Sequence, residues 1–275
     1  MSYFDDICHG FEKNSVKGVV FYTIPSFSRT GLVRHCFSTR IGGVSKGCFE
    51  SLCFSLSREK NPENFRENTR RLADACGVDY DRITVVNYEH GDNIYEIGPD
   101  DAGKGLTREN DIPKCDALVC SLKGTAAMTM HADCVPLFYL SLKTGTCAVA
   151  HAGWRGVIKG LPGKIASHIA SMEGCDADGI IVGIGPHIKS CCFEVGSEVR
   201  DVFLDKYGEG SCRESDGRLY VNLEYAIICQ FREAGIPAEN ITVSDLCTHC
   251  NADLFYSHRR DRGMTGAMAG MIQKL

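Results

Sequence analysis

Short apolar segments rich in β-branched residues alternate along the chain with longer segments of helical periodicity. Short segments of this kind, bounded by polar residues and glycine, are typical of strands. They predict strands at residues 18–22, 83–86, 117–119, 147–150, 180–184 and 241–243. Helical patterns occur at residues 62–76, 164–172, 197–206 and 223–234. The alternation of the two patterns predicts an α/β or α+β fold.

Local signals mark where several of these helices begin and end. Asn61 is a good cap residue and Pro62 follows it in the first turn, so the first long helix is expected to start there. Gly77 stands where that helix should stop. Helix propensity is poor over residues 156–163, so the next helix is expected to begin near Pro162.

The chain shows no feature that would divide it into parts. It contains no internal repeat, low-complexity tract or proline-rich linker, and we therefore predict one domain over residues 1–275. A chain of this length can bury a substantial core without metal or disulfides. The longest loop-like segment, residues 98–113, could be a mobile lid or a long surface turn. The turn is favoured, because a polar loop containing glycine needs no function to exist.

The composition excludes two kinds of partner, nucleic acids and membranes. The chain is 44% hydrophobic and 24% charged with a net charge of -5, so it has no basic surface for a nucleic acid. No apolar run approaches the roughly 18 residues that span a bilayer. Asp5 and Asp6 stand where a secretory signal would be basic. We therefore expect a cytoplasmic protein with neither nucleic acid nor membrane as a partner.

Sixteen cysteines are many for 275 residues. They are scattered among apolar neighbours, as at Cys36, Cys53, Cys147 and Cys229, and are not spaced as a disulfide framework. We expect most of them to be reduced thiols that pack as small apolar residues.

Two short motifs carry the strongest chemical signal. They are His-Ala-Asp-Cys at residues 131–134 and His-Ala-Gly-Trp-Arg-Gly at residues 151–156, each where an apolar stretch gives way to small residues. A strand ending in Asp-Cys, followed by one ending in His-Ala-Gly, would place a thiolate, a carboxylate and an imidazole at one rim of a sheet. His90, which is followed by glycine, could complete a metal site there.

The residues alone leave two kinds of chemistry open. His90, Cys134 and His151 match the three-ligand sets of catalytic zinc, which keep one coordination position free. Alternatively, Cys134 is a nucleophile activated by a histidine without any metal. Asp133 could accept a proton, support a histidine ligand, or only cap the following turn.

Two arginines are candidates for binding an anion such as phosphate. Arg155 precedes a predicted helix, where free backbone amides favour negative charge. Arg40 stands beside Gly42 and Gly43, which would expose further amides. Either arginine could instead pack on a neighbouring side chain at the surface.

Cys247 and Cys250 are spaced like half of a zinc ribbon or like a redox pair. A zinc knuckle needs a second pair, and Cys191 and Cys192 are adjacent rather than spaced. No thioredoxin-like βαβ unit surrounds the motif either. A packed turn is therefore the favoured interpretation.

The sequence resembles the laccase-domain, or multicopper polyphenol oxidase, family, whose members were later recognised as purine nucleoside phosphorylases. The resemblance covers nearly the whole chain in the family's order. It rests on Thr-Arg-Ile-Gly-Gly-Val-Ser (39–45), Cys-Asp-Ala-Leu-Val (115–119), Ala-Asp-Cys-Val-Pro (132–136), His-Ala-Gly-Trp-Arg-Gly (151–156), Gly-Ile-Gly-Pro (183–186), Cys-Cys-Phe-Glu-Val (191–195), Cys-Thr-His-Cys (247–250) and Tyr-Ser-His-Arg-Arg (256–260).

The resemblance implies a four-layer α/β/β/α sandwich, related to the fold of certain toxin-like cysteine hydrolases. It also implies a zinc site formed by His90, Cys134 and His151. The implied activities are phosphorolysis of adenosine, inosine, guanosine and methylthioadenosine, and deamination of adenosine. Some members of the family were first described as copper-dependent oxidases of phenols, which makes copper the alternative metal, and bacterial members have been linked to peptidoglycan editing.

Two positions depart from the family's pattern. Tyr88 and Glu89 stand where Gln-Val is common, which alters the surroundings of His90. His131 stands where threonine is common and adds an imidazole near Cys134. That imidazole could be a base, an alternative ligand, or a packed side chain.

The oxidase activity fits the residues less well than a zinc enzyme does. Oxidation of phenols by dioxygen ordinarily uses several coppers and a set of ligands rich in histidine. The nine histidines here include no His-X-His pair. We therefore interpret the chain as a zinc enzyme acting on purine nucleosides, with the copper oxidase and the metal-free Cys-His hydrolase or deamidase as alternatives.

Overall fold

The computed structural model describes residues 3–174 and 176–275. Its strands are β1 Cys8–His9, β2 Glu12–Val16, β3 Val19–Thr23, β4 Val33–Ser38, β5 Ile83–Val85, β6 Ile94–Glu96, β7 Ala117–Cys120, β8 Ala126–His131, β9 Val135–Ser141, β10 Cys147–Ala152, β11 Ile180–Ile184, β12 Glu194–Val195, β13 Cys212–Ser215, β14 Arg218–Val221, β15 Ile241–Val243 and β16 Met268–Lys274. Its helices are α1 Pro25–Ser28, α2 Leu56–Glu59, α3 Pro62–Cys76, α4 Trp154–Ile158, α5 Leu161–Glu173, α6 Ser197–Tyr207 and α7 Leu223–Glu233.

The strands form two large sheets and one small one. The seven-stranded sheet has the order β1-β15-β11-β9-β10-β7-β6, and the six-stranded sheet has the order β2-β3-β4-β16-β8-β5. A three-stranded sheet has the order β12-β14-β13. Both large sheets mix parallel and antiparallel pairs, for example β11 parallel to β15 and β9 antiparallel to β10. The fold is therefore a mixed α/β fold, as the alternation of patterns predicts.

The predicted elements form close to their expected positions. Helix α3 has the predicted bounds, and the Asn61 side chain accepts hydrogen bonds from the backbone N–H groups of Glu63 and Asn64. Gly77 ends the helix in the left-handed region, at φ 74°. Helix α5 begins at Leu161, next to the predicted start at Pro162. Local capping chemistry is thus enough to define these ends.

Among the described residues, three apolar clusters join helices and sheets to one another. Alternate residues of β9 belong to two different clusters. Leu137 and Tyr139 pack with helices α5 and α7, whereas Phe138 and Leu140 pack with residues of the six-stranded sheet. The third cluster joins the six-stranded sheet to α3. Because side chains alternate between the faces of a strand, a central strand such as β9 is apolar on both.

The loop at residues 98–113 is packed against the protein. Asp101 is buried, and Lys104 forms ion pairs with Asp101 at 2.9 Å and with Asp111 at 2.7 Å. These contacts agree with a long turn rather than with a lid. Among the residues that the structure describes, no helix combines the length and the apolar character that crossing a membrane requires.

One short connection joins the two large sheets at a chemically important place. Strand β8 belongs to the six-stranded sheet and β9 to the seven-stranded sheet, so the chain crosses between sheets at residues 132–134. That connection carries Asp133 and Cys134.

Candidate active site

Strand pairing brings Cys134, His151 and Asp116 to one rim of the seven-stranded sheet. Ala152 lies opposite Val135 in the register of β10 and β9, so Cys134 is next to the end of β10. On the other side of β10, Ala150 pairs with Ala117, and Asp116 directly precedes that residue. The sulfur and the imidazole lie at one rim as the two motifs predict, but the carboxylate bonded to His151 is that of Asp116 and not that of Asp133.

Asp116 is a buried carboxylate that fixes both histidines. The Nδ1–H of His151 donates to Asp116 Oδ1 at 3.0 Å, and the backbone N–H groups of His90 and Gly91 donate to the same carboxylate at 3.2 and 2.6 Å. Although burial raises the pKa of the Asp116 carboxyl, the bonds from His151 and Gly91 outweigh it and hold this pKa below its ordinary value. Asp116 therefore stays ionised, and it leaves Nε2 of His151 available.

His151 and Cys134 form a hydrogen-bonded pair. Burial lowers the pKa of His151, but the Cys134 sulfur and Asp116 outweigh it and raise this pKa to about 9. A Cβ atom at Gly153 would lie 3.3 Å from Cys134 Sγ, so glycine in the His-Ala-Gly motif keeps space open beside the sulfur. A charged imidazole beside a thiolate is also what a Cys-His nucleophile uses, so the metal-free alternative fits this pair.

His90 faces the same pair from a strained turn. Its φ is 60°, and its ring centroid is 5.0 Å from that of His151. Burial, together with the nearby His151, lowers the pKa of His90, so its imidazole is neutral and can offer a lone pair. The Tyr88 ring packs on both imidazoles, with centroids 4.6 Å from His151 and 6.1 Å from His90, and its hydroxyl bonds to the Met130 backbone.

These two histidines and one cysteine offer the donor atoms that zinc prefers, and they line one cavity. Across residues 3–174 and 176–275, however, the group of three or more His, Cys, Asp or Glu residues whose ligand atoms all lie within 4.8 Å of one another consists of four cysteines elsewhere. His90, Cys134 and His151 are not gathered so closely, so they would have to draw together around an ion.

His131 is a packed residue with both ring nitrogens engaged. Its Nδ1–H donates to the Cys134 carbonyl at 3.3 Å, and its Nε2 accepts from the Thr129 hydroxyl at 2.8 Å. Burial lowers the pKa of His131 well below its ordinary value, so the ring is neutral. Of the three roles open for this imidazole, packing is the one that the contacts describe.

Asp133 uses its carboxylate to hold a distant loop. Its Oδ1 accepts from the Thr248 hydroxyl at 2.6 Å, and its Oδ2 accepts from the Ser257 hydroxyl at 3.0 Å and the Arg259 backbone N–H at 2.7 Å. A carboxylate with three donors is suited to positioning. The contacts therefore do not support the expected role of Asp133 as a proton acceptor in catalysis.

Arg40 lies away from this cavity. Its guanidinium sits 4.6 Å from the centre of the Tyr256 ring and donates to the carbonyls of Glu50 and Ala252. The neighbouring amides of Gly42 and Gly43 donate to the Ser51 hydroxyl, so they are not free for an anion. The contacts of Arg40 describe the alternative in which this arginine packs on a neighbouring side chain, and phosphate binding at Arg40 stays a prediction.

Arg155 is exposed and stacks on Trp154, with its guanidinium carbon 4.4 Å from the ring centre. It does not line the cavity, although its charge is near enough to contribute to the lowered pKa of His90. The cavity is lined by Arg58 and Arg259 instead. Of the arginines, these two are the ones placed to meet an anion inside it.

The cavity has a volume of about 660 Å³, within the range of small-molecule sites. Apolar side chains, among them Val86, Ile188 and Phe193, form much of its wall. Its charged and polar lining residues include Arg58, His258 and Arg259 as well as Cys134 and His151. A mostly apolar wall with a few polar groups is typical of sites that bind small molecules.

Three residues of the site were missed in the sequence. Asp116 could have been found, because it is a charged residue between Cys115 and the apolar strand β7. Arg259 belongs to the Tyr-Ser-His-Arg-Arg motif, which was the signal for it, whereas nothing in the local sequence separates Arg58 from a surface arginine.

The protein has a mixed α/β fold, and a thiol and two imidazoles line a cavity of small-molecule size. This combination is that of an α/β enzyme. The chain belongs to the family described as multi-copper polyphenol oxidoreductase laccase, whose model matches residues 34–274.

Individual relatives are similar over most of their length. The purine nucleoside phosphorylase YlmD of Geobacillus stearothermophilus is 35% identical over 240 residues, which are 86% of this chain and 88% of the relative. The purine nucleoside phosphorylase YfiH of Escherichia coli is 32% identical over 251 residues, which are 90% of this chain and 97% of the relative. The crystal structure of the Geobacillus YlmD superposes with a TM-score of 0.87 at 32% identity, covering 96% of this chain and 98% of that one.

Proposed function

We propose that this protein is a zinc-dependent purine nucleoside phosphorylase. Its substrates would be adenosine, inosine, guanosine and methylthioadenosine together with phosphate, and it would also deaminate adenosine. The names of the relatives support this activity. The observation that carries the proposal is the cavity lined by His90, Cys134 and His151, with Asp116 bonded to one of these histidines.

In this proposal His90, Cys134 and His151 hold the zinc ion. When bound, an ion with an open coordination position supplies Lewis acidity toward water or a substrate atom. Asp116 orients His151 through Nδ1 and holds the backbone of His90, so it is a positioning residue. Copper is the alternative metal for the same donors.

Arg58 and Arg259 are proposed to hold the phosphate. In phosphorolysis a phosphate oxygen bonds to the anomeric carbon of the ribose while the bond from that carbon to the purine nitrogen breaks, and a proton goes to the departing base. Cations beside the phosphate stabilise the developing charges. The guanidinium of Arg58 also contacts His258 Nδ1 at 3.4 Å, which gives the anion a second polar neighbour on that wall.

We further propose that the layers are stacked helix, sheet, sheet, helix, in the manner of the toxin-like cysteine hydrolases. The three apolar clusters support this stacking, because each joins one pair of successive layers. The free thiols of the described cysteines support a cytoplasmic location, where thiols stay reduced.

A metal-free Cys-His hydrolase is the second candidate. It is favoured by the Cys134–His151 pair and by the raised pKa of His151, to about 9. Removal of metal separates the two candidates: a zinc enzyme loses activity on chelation and regains it with zinc, whereas a thiol nucleophile keeps its activity.

Chromatography of nucleosides tests the proposal. Adenosine, inosine and methylthioadenosine incubated with zinc-loaded protein should give free bases only when phosphate is present. Cys134→Ala should abolish the reaction, because it removes both the proposed ligand and the nucleophile. Cys48→Ala, at an exposed cysteine, is the matched control and should keep full activity. If zinc-loaded protein leaves all three nucleosides unchanged, the proposal is wrong.

A further inference from the structure

A second cluster of metal-binding side chains lies outside the candidate active site. Cys191, Cys192, Cys247 and Cys250 place all four sulfurs within 4.8 Å of one another. The sulfur of Cys250 is 3.4 Å from that of Cys192 and 3.8 Å from that of Cys191. Zinc bound by four thiolates has bonds of about 2.3 Å, and a tetrahedron of that size has edges of about 3.8 Å. The sulfurs are therefore spaced as ligands of one ion.

We propose that Cys191, Cys192, Cys247 and Cys250 form a closed structural zinc site. It is separate from the proposed site of His90, Cys134 and His151, and it does not depend on the proposed function. Each thiol that binds as thiolate releases one proton, so zinc replaces up to four protons without any change of oxidation state.

The two cysteine loops are fastened to each other by their backbones. The Thr248 N–H donates to the His187 carbonyl at 3.0 Å, and residues 187 and 247 form a parallel β-bridge. The Lys189 N–H donates to Cys247 Sγ at 3.5 Å. Backbone donors to a ligand sulfur stabilise its thiolate form. The ligands are thus brought together by the fold before any ion binds.

The exposure of the four thiols is what an ion bound at the protein surface requires. Cys247 is buried and Cys192 is half-buried, whereas Cys191 and Cys250 are exposed. Zinc with four thiolates carries a net negative charge, and the two exposed sulfurs let water solvate part of it. They also give the ion a path of entry.

Other uses of four thiols fit this arrangement less well. A disulfide requires two sulfurs about 2.0 Å apart and would leave the remaining pair without a role. A four-iron cluster carries each cysteine on a different iron, which separates the sulfurs more widely than the distances here allow. A single ion with four sulfur ligands is therefore the arrangement that the cluster matches, and zinc is the usual ion of closed four-cysteine sites.

The site would fasten one wall of the active-site cavity. Ile188 and Phe193, which line the cavity, flank the cysteine pair at residues 191–192. Thr248, between the other two cysteines, donates to Asp133 beside Cys134. Loss of the ion would remove one of the links between the two loops, so the wall formed by Ile188 and Phe193 would loosen.

Metal content and X-ray absorption of the full chain test the proposal. Protein purified under reducing conditions with zinc should hold roughly two ions per chain if both sites fill. Cys134→Ala should remove only the active-site ion. Zinc-edge absorption of that variant should show four sulfurs at about 2.3 Å. Cys250→Ser should lose the four-sulfur signal, and Cys48→Ser, the matched control, should keep it.

Three results would overturn the proposal: Cys134→Ala protein that holds no zinc, zinc in that variant bound by nitrogen and oxygen, or iron in place of zinc. If Cys250→Ser fails to fold, the absorption measurement on Cys134→Ala still decides. Failure of the phosphorylase assay would leave this measurement unaffected, so the two proposals fail separately.

Discussion

At the residue scale, the chemistry of the site depends on buried groups that hold one another in place. Asp116 serves His151 through its side chain and His90 through the backbone N–H, so one carboxylate aligns two proposed ligands. Asp133, next to Cys134, is occupied by three donors and supports the loop at residues 248–259. The two carboxylates therefore have different roles, which their hydrogen bonds distinguish.

Replacement of Asp116 tests its positioning role. Asp116→Asn removes the charge that holds His151, and we expect zinc affinity at the proposed site to fall by about 10- to 100-fold. Titration against a competing chelator, in a background of Cys250→Ser if both sites bind, measures this loss. The matched control is Asp245→Asn, because Asp245 also pairs with a histidine, His9, at 2.8 Å but on the exposed surface. Equal affinity in the two variants would contradict the role of Asp116.

At the scale of elements, loops are fixed by close backbone approaches as much as by side chains. Gly43 packs so tightly that a Cβ atom there would lie 2.2 Å from the Ser51 carbonyl oxygen and 2.4 Å from Leu52 Cα. The next residue, Val44, donates its N–H to Asn68 of helix α3. The glycines after Arg40 thus let one loop lie against another, and this explains the motif without a bound anion.

Gly43→Ala tests this close approach. Because the clash is with backbone, we expect the free energy of unfolding to fall by about 1–3 kcal/mol, as for overpacking in a core. Denaturant unfolding measures the change. Gly179→Ala is the control, since a Cβ atom at Gly179 meets nothing within 4 Å. A Gly43→Ala protein as stable as the control would show that the loop moves at no cost.

At the scale of the whole molecule, the two large sheets share one apolar interior. Phe138 of the seven-stranded sheet packs in the same cluster as Phe37 and Met268 of the six-stranded sheet, and all three are fully buried. A shared interior makes the stability of each sheet depend on the other. We therefore predict that the chain unfolds as one unit, as the prediction of a single domain over residues 1–275 requires.

Phe138→Ala examines this coupling. We expect about 3–5 kcal/mol of destabilisation, because the substitution leaves a cavity between the sheets. Calorimetry should give one transition, lowered as a whole, with equal calorimetric and van't Hoff enthalpies. Met264→Ala, at a side chain that is 65% exposed, should change little. Two separate transitions, with one unaffected by Phe138→Ala, would refute a single unit.

The sequence alone predicts those helices and strands whose bounds depend on interactions within a few residues. Asn61 and Gly77 define the ends of α3 by bonds and torsions within a few residues, and short β-branched segments define strands such as β11. The patterns did not single out β4 or β16. Strand β16 is rich in methionine and small residues, and it becomes a strand by pairing with β4 and β8. Its sheet partners, not its propensity, decide its conformation.

Tertiary structure decided which distant residues meet. The residue types and motifs suggested a site of His90, Cys134 and His151, the resemblance implied the same set, and their ligation of one ion stays a prediction. It did not pair Cys191 and Cys192 with Cys247 and Cys250, because adjacent cysteines lack the spacing of a local ligand pair. Strands β11 and β15, about 60 residues apart in the chain, lie side by side and bring the loops that follow them into contact. Chemistry that depends on such pairing is fixed by the packing of the sheet, which no local pattern encodes.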